Sequence, residues 1–189
     1  GKMLEDFGFT IKVFNVVDMS KSSHYNPLKY INNVNDVILL TDCILANTTD
    51  PNKKGGDDFW EKAQKLMFQA FISFLWMHGE EFGLKPNMAS IMTLIRDCQV
   101  PEDDASSTDG LNKVDILFKA IEYGYERDDS GKIIPGDENN IRDNNKGREF
   151  CVKQYNAFKL GAGKTLKSIL ISAYARLSCF DSEDVQIGR

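Results

Sequence analysis

Local metal-ligand spacing is the first thing this chain lacks. Its four cysteines, Cys43, Cys98, Cys151 and Cys179, form no C-x-x-C pair, and only two histidines, His24 and His78, are available to assist. No zinc-type pattern results. Excess positive charge is missing too: 23 Lys and Arg against 28 Asp and Glu leave a formal charge of −5. That is the reverse of the basic footprint of a generic nucleic-acid binder. No apolar run approaches the ~20 residues that a bilayer demands, and no signal peptide is visible. The chain opens Gly1-Lys2-Met3 and closes mid-pattern at Gly188-Arg189. It reads as a piece of a longer protein, so the targeting of the parent stays open.

Catalytic constellations are missing as well. No Ser, Cys or His arrangement pairs a nucleophile with a base. Gly161-Ala-Gly-Lys-Thr165 imitates the end of a P-loop, but the first glycine would fall at Phe158, and the preceding residues read as helix. Residues 11 to 18 imitate an apolar strand ending in a magnesium-binding Asp, yet Lys12 and Asn15 interrupt it. Residues 137 to 147 are rich in Asp and Asn like a calcium loop, without its central glycine or its terminal Glu in register. The expectation is a non-enzymatic chain with no cofactor and no metal of its own.

What is present is a globular composition, 42% hydrophobic and 27% charged in 189 residues, enough for one large domain with a sizeable core. The organising stretch is residues 57 to 78. Asp58 and Glu61 carry capping-box spacing. Apolar side chains then recur at helical intervals through Phe59/Trp60, Ala63, Leu66/Met67, Ala70/Phe71 and Phe74/Leu75. Over residues 66 to 77 only Gln69 and Ser73 are clearly polar, so the helix is apolar almost all round. Such a helix lies in the middle of a bundle.

Around it the chain predicts further helices. Pro27 opens a short one, and another begins at Asn35 or Asp36 with Val37, Ile38, Leu40, Ile44 and Leu45 on its apolar side. Pro86-Asn87 starts a third, with Met88, Ile91, Met92 and Ile95 facing the core. A fourth is marked by Leu111, Val114, Leu117/Phe118 and Ile121. The last places Tyr155, Phe158, Ala162, Leu166, Ile169/Leu170, Ala173, Leu177 and Phe180 on one face, with Gly161 and Gly163 positioned to bend or split it. Residues 7 to 18 alternate as a strand, orphaned because nothing else pairs with it. Residues 126 to 147 are polar and predict a mobile insertion. The cysteines read as buried free thiols of a reducing compartment. The fold class is all-α, a bundle of about six or seven helices with one orphan N-terminal strand.

Charge is segregated along the chain. Residues 146 to 176 hold seven basic residues against the single acid Glu149, and residues 101 to 129 hold nine acids against three basic residues. Solvated faces are the simpler meaning. Two partner-facing surfaces of opposite sign are the sharper one.

Three blocks carry a resemblance: IKVFNVVDMSKSSHYNPLKYI (11 to 31), DDFWEKAQKLMFQAFISFL (57 to 75) and YNAFKLGAGKTLKSILISAYARLSCFD (155 to 181). Together they resemble the TraG-like type IV coupling proteins, the membrane-anchored hexameric ATPases of conjugation and type IV secretion. The resemblance implies that the chain is the all-α domain inserted in the ATPase. Residues 1 to 24 would then be a strand and linker of the nucleotide-binding domain, 25 to 183 the all-α domain, and 184 to 189 the return linker. It implies that ATP and Mg belong to the parent and that the parent lies at the cytoplasmic side of the bacterial membrane. This piece itself would make no membrane contact. The implied partner is a relaxase or relaxosome accessory protein, with DNA as the alternative. Glu102, Asp103, Asp104 and Asp109 are the candidate protein-binding residues. Lys153, Lys159, Lys164 and Lys167 are the candidates for DNA.

Overall fold

The computed structural model describes residues 6 to 10, 26 to 48, 58 to 99, 111 to 137 and 149 to 178. Six α-helices make up most of the described residues: α1 (Val34–Thr48), α2 (Asp58–His78), α3 (Met88–Asp97), α4 (Lys113–Tyr123), α5 (Phe150–Ala162) and α6 (Leu166–Leu177). A hairpin of β1 (Tyr125–Arg127) and β2 (Ile133–Pro135) lies between α4 and α5. A 3-10 turn, Pro27–Tyr30, precedes α1, and Asn26 caps it by accepting from the Leu28 N–H.

Helix α2 is the centre, as its pattern predicts. Every residue from 67 to 75 is buried, so no face is left for solvent. Its broadest contact is with α5, and α1, α3 and α6 also pack on it. The one hydroxyl in that run, Ser73 Oγ, donates within the helix to the Gln69 and Ala70 carbonyls, which removes the cost of burying it. The helix stops at Gly79. A Cβ there would stand 2.5 Å from Leu75 O and 2.7 Å from Leu84 O, so only glycine lets the chain turn this tightly.

Side-chain caps start α1 and α3. Asn33 Oδ1 accepts from the Asp36 N–H while Asp36 Oδ2 accepts from Asn32 N and Asn33 Nδ2. That starts α1 at Val34, a residue or two before the predicted Asn35 or Asp36. Asn87 Oδ1 accepts from Ser90 N and opens α3, whose Met88, Ile91, Met92 and Ile95 are all buried as predicted. The final helical region is split. Gly163, at φ +43°, ends α5, and a 3-10 turn, Gly163–Thr165, leads into α6.

Three expectations are corrected. Of the strand predicted over residues 7 to 18, residues 7 to 10 form a turn and a stretch without regular structure, and Phe7 is 74% exposed. The rest of the predicted strand, 11 to 18, lies outside the described residues, as do the domain boundaries near 24 and 184. The predicted mobile insertion begins instead as the β1–β2 hairpin, with Glu126 opposite Ile134. Its turn is held by Asp128 Oδ1, which accepts from Ser130 N, Ser130 Oγ and Lys132 N, and by Gly131 at φ +81°. Residues 138 to 147 of that stretch lie outside the described residues. Cys98 and Cys151 are buried but Cys43 is exposed. At 100° per residue, Cys43 points roughly 130° away from the Val37, Thr41 and Ile44 stripe.

Candidate partner-binding surface and its buried polar clusters

Asn112 begins α4 with a capping box. Its Oδ1 accepts from Asp115 N at 2.8 Å, and Asp115 Oδ2 accepts from Asn112 N at 3.0 Å. The same carboxylate reaches across to α5. Tyr155 donates its hydroxyl to Oδ1 at 2.7 Å, and Lys159 Nζ stands 2.9 Å from Oδ1 and 3.0 Å from Oδ2. Both oxygens are thus doubly engaged, which is what a buried carboxylate requires. The Asp115 side chain is 8% exposed and that of Lys159 31%.

Beneath the pair lies an aromatic floor. The Phe118 and Tyr155 rings stack at 3.9 Å and 11°, and Phe71 of α2 lies 6.3 Å from each. Asn112 Nδ2 also donates to Cys98 O. Burial pushes the Cys98 thiol up to about 11 and the Tyr155 phenol higher still, so both keep their protons at neutral pH. A shallow cleft between α4 and α5, rimmed by Lys119, Glu122 and Asn156, opens above this junction. Chemically the cluster locks two helices together.

This junction changes the meaning of the charge segregation. Asp115 belongs to the acidic segment and Lys159 to the basic one, so the two segments meet inside the molecule. A second basic residue is also engaged: Arg176 Nη1 donates to Thr48 Oγ1 at 3.2 Å and to Leu45 O at 3.5 Å. It neutralises the carbonyl end of α1. Of the four candidate DNA-binding lysines, Lys153 and Lys167 are exposed and Lys159 is held by Asp115. Lys164 falls in the 3-10 turn, and its side chain is outside the description. The exposed face of α5 runs Lys153, Asn156, Ala157 and Leu160, which is not a basic stripe. Leu160 is 89% exposed. Glu102, Asp103, Asp104 and Asp109 lie outside the described residues.

The glycine-lysine-threonine stretch does not have the strand–loop–helix setting of a P-loop. It joins two helices with no strand before it, and Phe158, at the first-glycine position, is fully buried. No helix among the described residues is long and apolar enough to cross a membrane.

A second cluster, unforeseen from the sequence, joins the end of α2 to the start of α5. His78 Nε2 stands 2.6 Å from Glu149 Oε2, and its Nδ1 stands 3.4 Å from Glu81 Oε2. Cys151 Sγ donates to Glu149 Oε2 at 3.8 Å. Burial first, and the Glu149 charge second, push the Cys151 thiol up to about 12. Tyr125 of the hairpin donates its hydroxyl to Glu81 Oε1 at 3.0 Å. No local spacing could announce a cluster whose members are 71 residues apart. The Asn112-x-x-Asp115 capping spacing of the first cluster, by contrast, was readable.

Comparison with family models matches residues 2–181 to the family described as type IV secretory system conjugative DNA transfer. Comparison with curated proteins and with solved structures gives no match.

Proposed function

Because the chain belongs to the TraG-like conjugative DNA-transfer family of type IV secretory systems, we propose that it is the all-α recognition domain of a coupling protein. In that role it receives the relaxase or a relaxosome accessory protein and links the DNA–relaxase complex to the secretion channel. Residues 25 to 183 form the domain, and the flanks join it to the nucleotide-binding domain of a hexameric parent at the cytoplasmic face of the membrane. The observation that carries the reading is the extent of the family match, which takes in the whole packed helical body. A bundle with a continuous aromatic core is a rigid platform. The acidic stretch with Glu102, Asp103, Asp104 and Asp109 steers a basic partner toward it.

Direct DNA contact is the weaker reading. Phosphate binding needs several available cations, and here Lys159 is tied to Asp115 and Arg176 to the end of α1. Catalysis is not part of the proposed role, and ATP and Mg act in the parent.

Fluorescence anisotropy separates the two. With the relaxosome protein encoded beside the parent gene, binding is expected, and reversing the four acids to Lys should weaken it about tenfold or more. With duplex DNA at about 150 mM salt, binding should be weak or absent. Submicromolar DNA affinity that disappears on Lys153→Ala, Lys164→Ala and Lys167→Ala together would replace this reading with the DNA-contacting one. Lys159 is left out of that set because its loss disturbs the fold. Calorimetry with ATP and Mg²⁺ should show no binding; micromolar binding abolished by Lys164→Ala would return the chain to the nucleotide-binding class.

A further inference from the structure

The cluster at the end of α2 has the composition and the support of a metal site. One donor atom from each of His78, Glu149 and Cys151 lies within 4.8 Å of the others. The three come from two different helix ends: His78 is the last residue of α2, and Glu149 and Cys151 flank the first residue of α5. Glu149 occupies the N-cap position but makes no capping bond there. Its carboxylate points instead at the imidazole and the thiol.

The far side of the histidine is built as well. A metal-bound histidine donates its second ring N–H to a carboxylate or carbonyl, which fixes the tautomer and leaves the other nitrogen's lone pair for the metal. Glu81 stands at Nδ1 of His78 in that role. It is braced by the Tyr125 hydroxyl on its carboxylate and by Arg127 Nη2 on its backbone carbonyl. The ring itself rests 6.4 Å from Phe74. Nε2 therefore faces Glu149 and Cys151.

We propose that His78 Nε2, the Glu149 carboxylate and Cys151 Sγ form a binding site for a divalent cation of the zinc type. An imidazole, a carboxylate and a thiolate make a donor set that suits Zn²⁺; Mg²⁺ and Ca²⁺ take oxygen. With metal bonds of about 2.0–2.3 Å, tetrahedral donors stand roughly 3.3–3.8 Å apart. The 3.8 Å between Cys151 Sγ and Glu149 Oε2 meets this already. The 2.6 Å hydrogen bond between His78 and Glu149 has to open by about 1 Å to admit the ion, a displacement within the reach of a rotating Glu side chain. The His78 and Glu149 side chains are each 18% exposed, so the fourth position faces water. On binding, the Cys151 proton passes to solvent, because a coordinated thiol is held as thiolate. The ion would tie the end of α2 to the start of α5 and leave the core helices as they are.

The test uses the 189-residue chain stripped with a chelator and titrated with Co²⁺, then with Zn²⁺. The expected result is one equivalent of Co²⁺ with a thiolate-to-metal charge-transfer absorption, displaced by Zn²⁺. Cys151→Ser should abolish that absorption, and His78→Gln and Glu149→Gln should each weaken Zn²⁺ binding about tenfold or more. Cys43→Ser, on the exposed face of α1, should leave both unchanged. No saturable Co²⁺ binding, or a charge-transfer band that survives Cys151→Ser, overturns the proposal. If Cys151→Ser fails to fold, His78→Gln decides alone, since its ring lies at the rim: unchanged Zn²⁺ affinity in that variant sinks the site.

Discussion

Two lysine–aspartate pairs in this molecule have similar geometry and unequal consequences. Lys65 of α2 stands 2.6 Å from Asp42 of α1, with 41% and 48% of the side chains exposed. Lys159 of α5 stands 2.9 Å from Asp115 of α4, with 31% and 8% exposed. The shorter pair is the less important one. At the α1–α2 surface, water solvates either charge alone almost as well as the partner does. At the α4–α5 junction the carboxylate has been taken out of water, and every replacement for that hydration comes from named groups: Lys159, Tyr155 and the Asn112 N–H. Removing one of them leaves a buried charge under-satisfied, which is costly in a way that its distance does not reveal.

The largest effect should come from the apolar floor under the buried pair. Phe71 is fully buried on α2 and lies against both Phe118 and Tyr155. Phe71→Ala is expected to cost ~3–5 kcal/mol, the transfer of the ring plus the cavity it leaves. The denaturant midpoint should fall accordingly. An unchanged midpoint would show that the stacked junction does not rest on α2.

Asp115→Ala attacks the pair directly. It removes the acceptor for Tyr155 and Lys159 and half of the capping box that starts α4. Breaking one side of a buried ion pair costs ~3–5 kcal/mol, and the partial exposure of Lys159 lets it turn to water, which points to about 3. Lys159→Met keeps the aliphatic stem and leaves Asp115 with Tyr155 and Asn112, so the expected loss is about 1.5 kcal/mol, that of one charge-assisted bond. A larger loss for Lys159→Met than for Asp115→Ala would mean that the buried carboxylate left without its lysine costs more than the lost cap and hydrogen bonds do.

The contrast between the junctions also shows what the sequence could and could not reveal. The central helix was legible because residues 67 to 75 are apolar almost all round, with only Gln69 and Ser73 polar, a pattern that a surrounded helix tolerates. The core positions of α3 were legible from their i, i+3, i+4, i+7 spacing, and the break at Gly163 from glycines in a helical pattern. The hairpin was not: each strand is three residues long, too short for alternation to register. Cys43 sat among apolar neighbours in the sequence, but neighbours in a chain are 100° apart on a helix. Asp115 read as one more acid in a solvated run. Its burial depends on Lys159, 44 residues away, and on the tilt that brings α5 against α4. The second cluster asked for more, since His78 meets Glu149 only after α2 and α5 have packed along each other.

The smallest effect should be at the α1–α2 surface, and it is the sharpest check on the comparison because geometry alone predicts the opposite. Judged by distance, the 2.6 Å contact between Lys65 and Asp42 is the stronger of these two lysine–aspartate pairs. Judged by surroundings, it joins two flexible, half-exposed side chains, whose fixing costs conformational entropy and whose attraction is weakened by water. Asp42→Ala should therefore change stability by no more than about 0.5 kcal/mol, and what change there is should vanish near 1 M salt, where the screening length falls to about 3 Å. A double-mutant cycle with Lys65→Ala isolates the pairwise part. The same cycle on Asp115 and Lys159 should return a coupling several times larger that persists better in salt, because a largely buried carboxylate is screened much less. Equal couplings at the two sites would mean that proximity decides their strength, and the buried junction would lose its claim to hold α4 against α5.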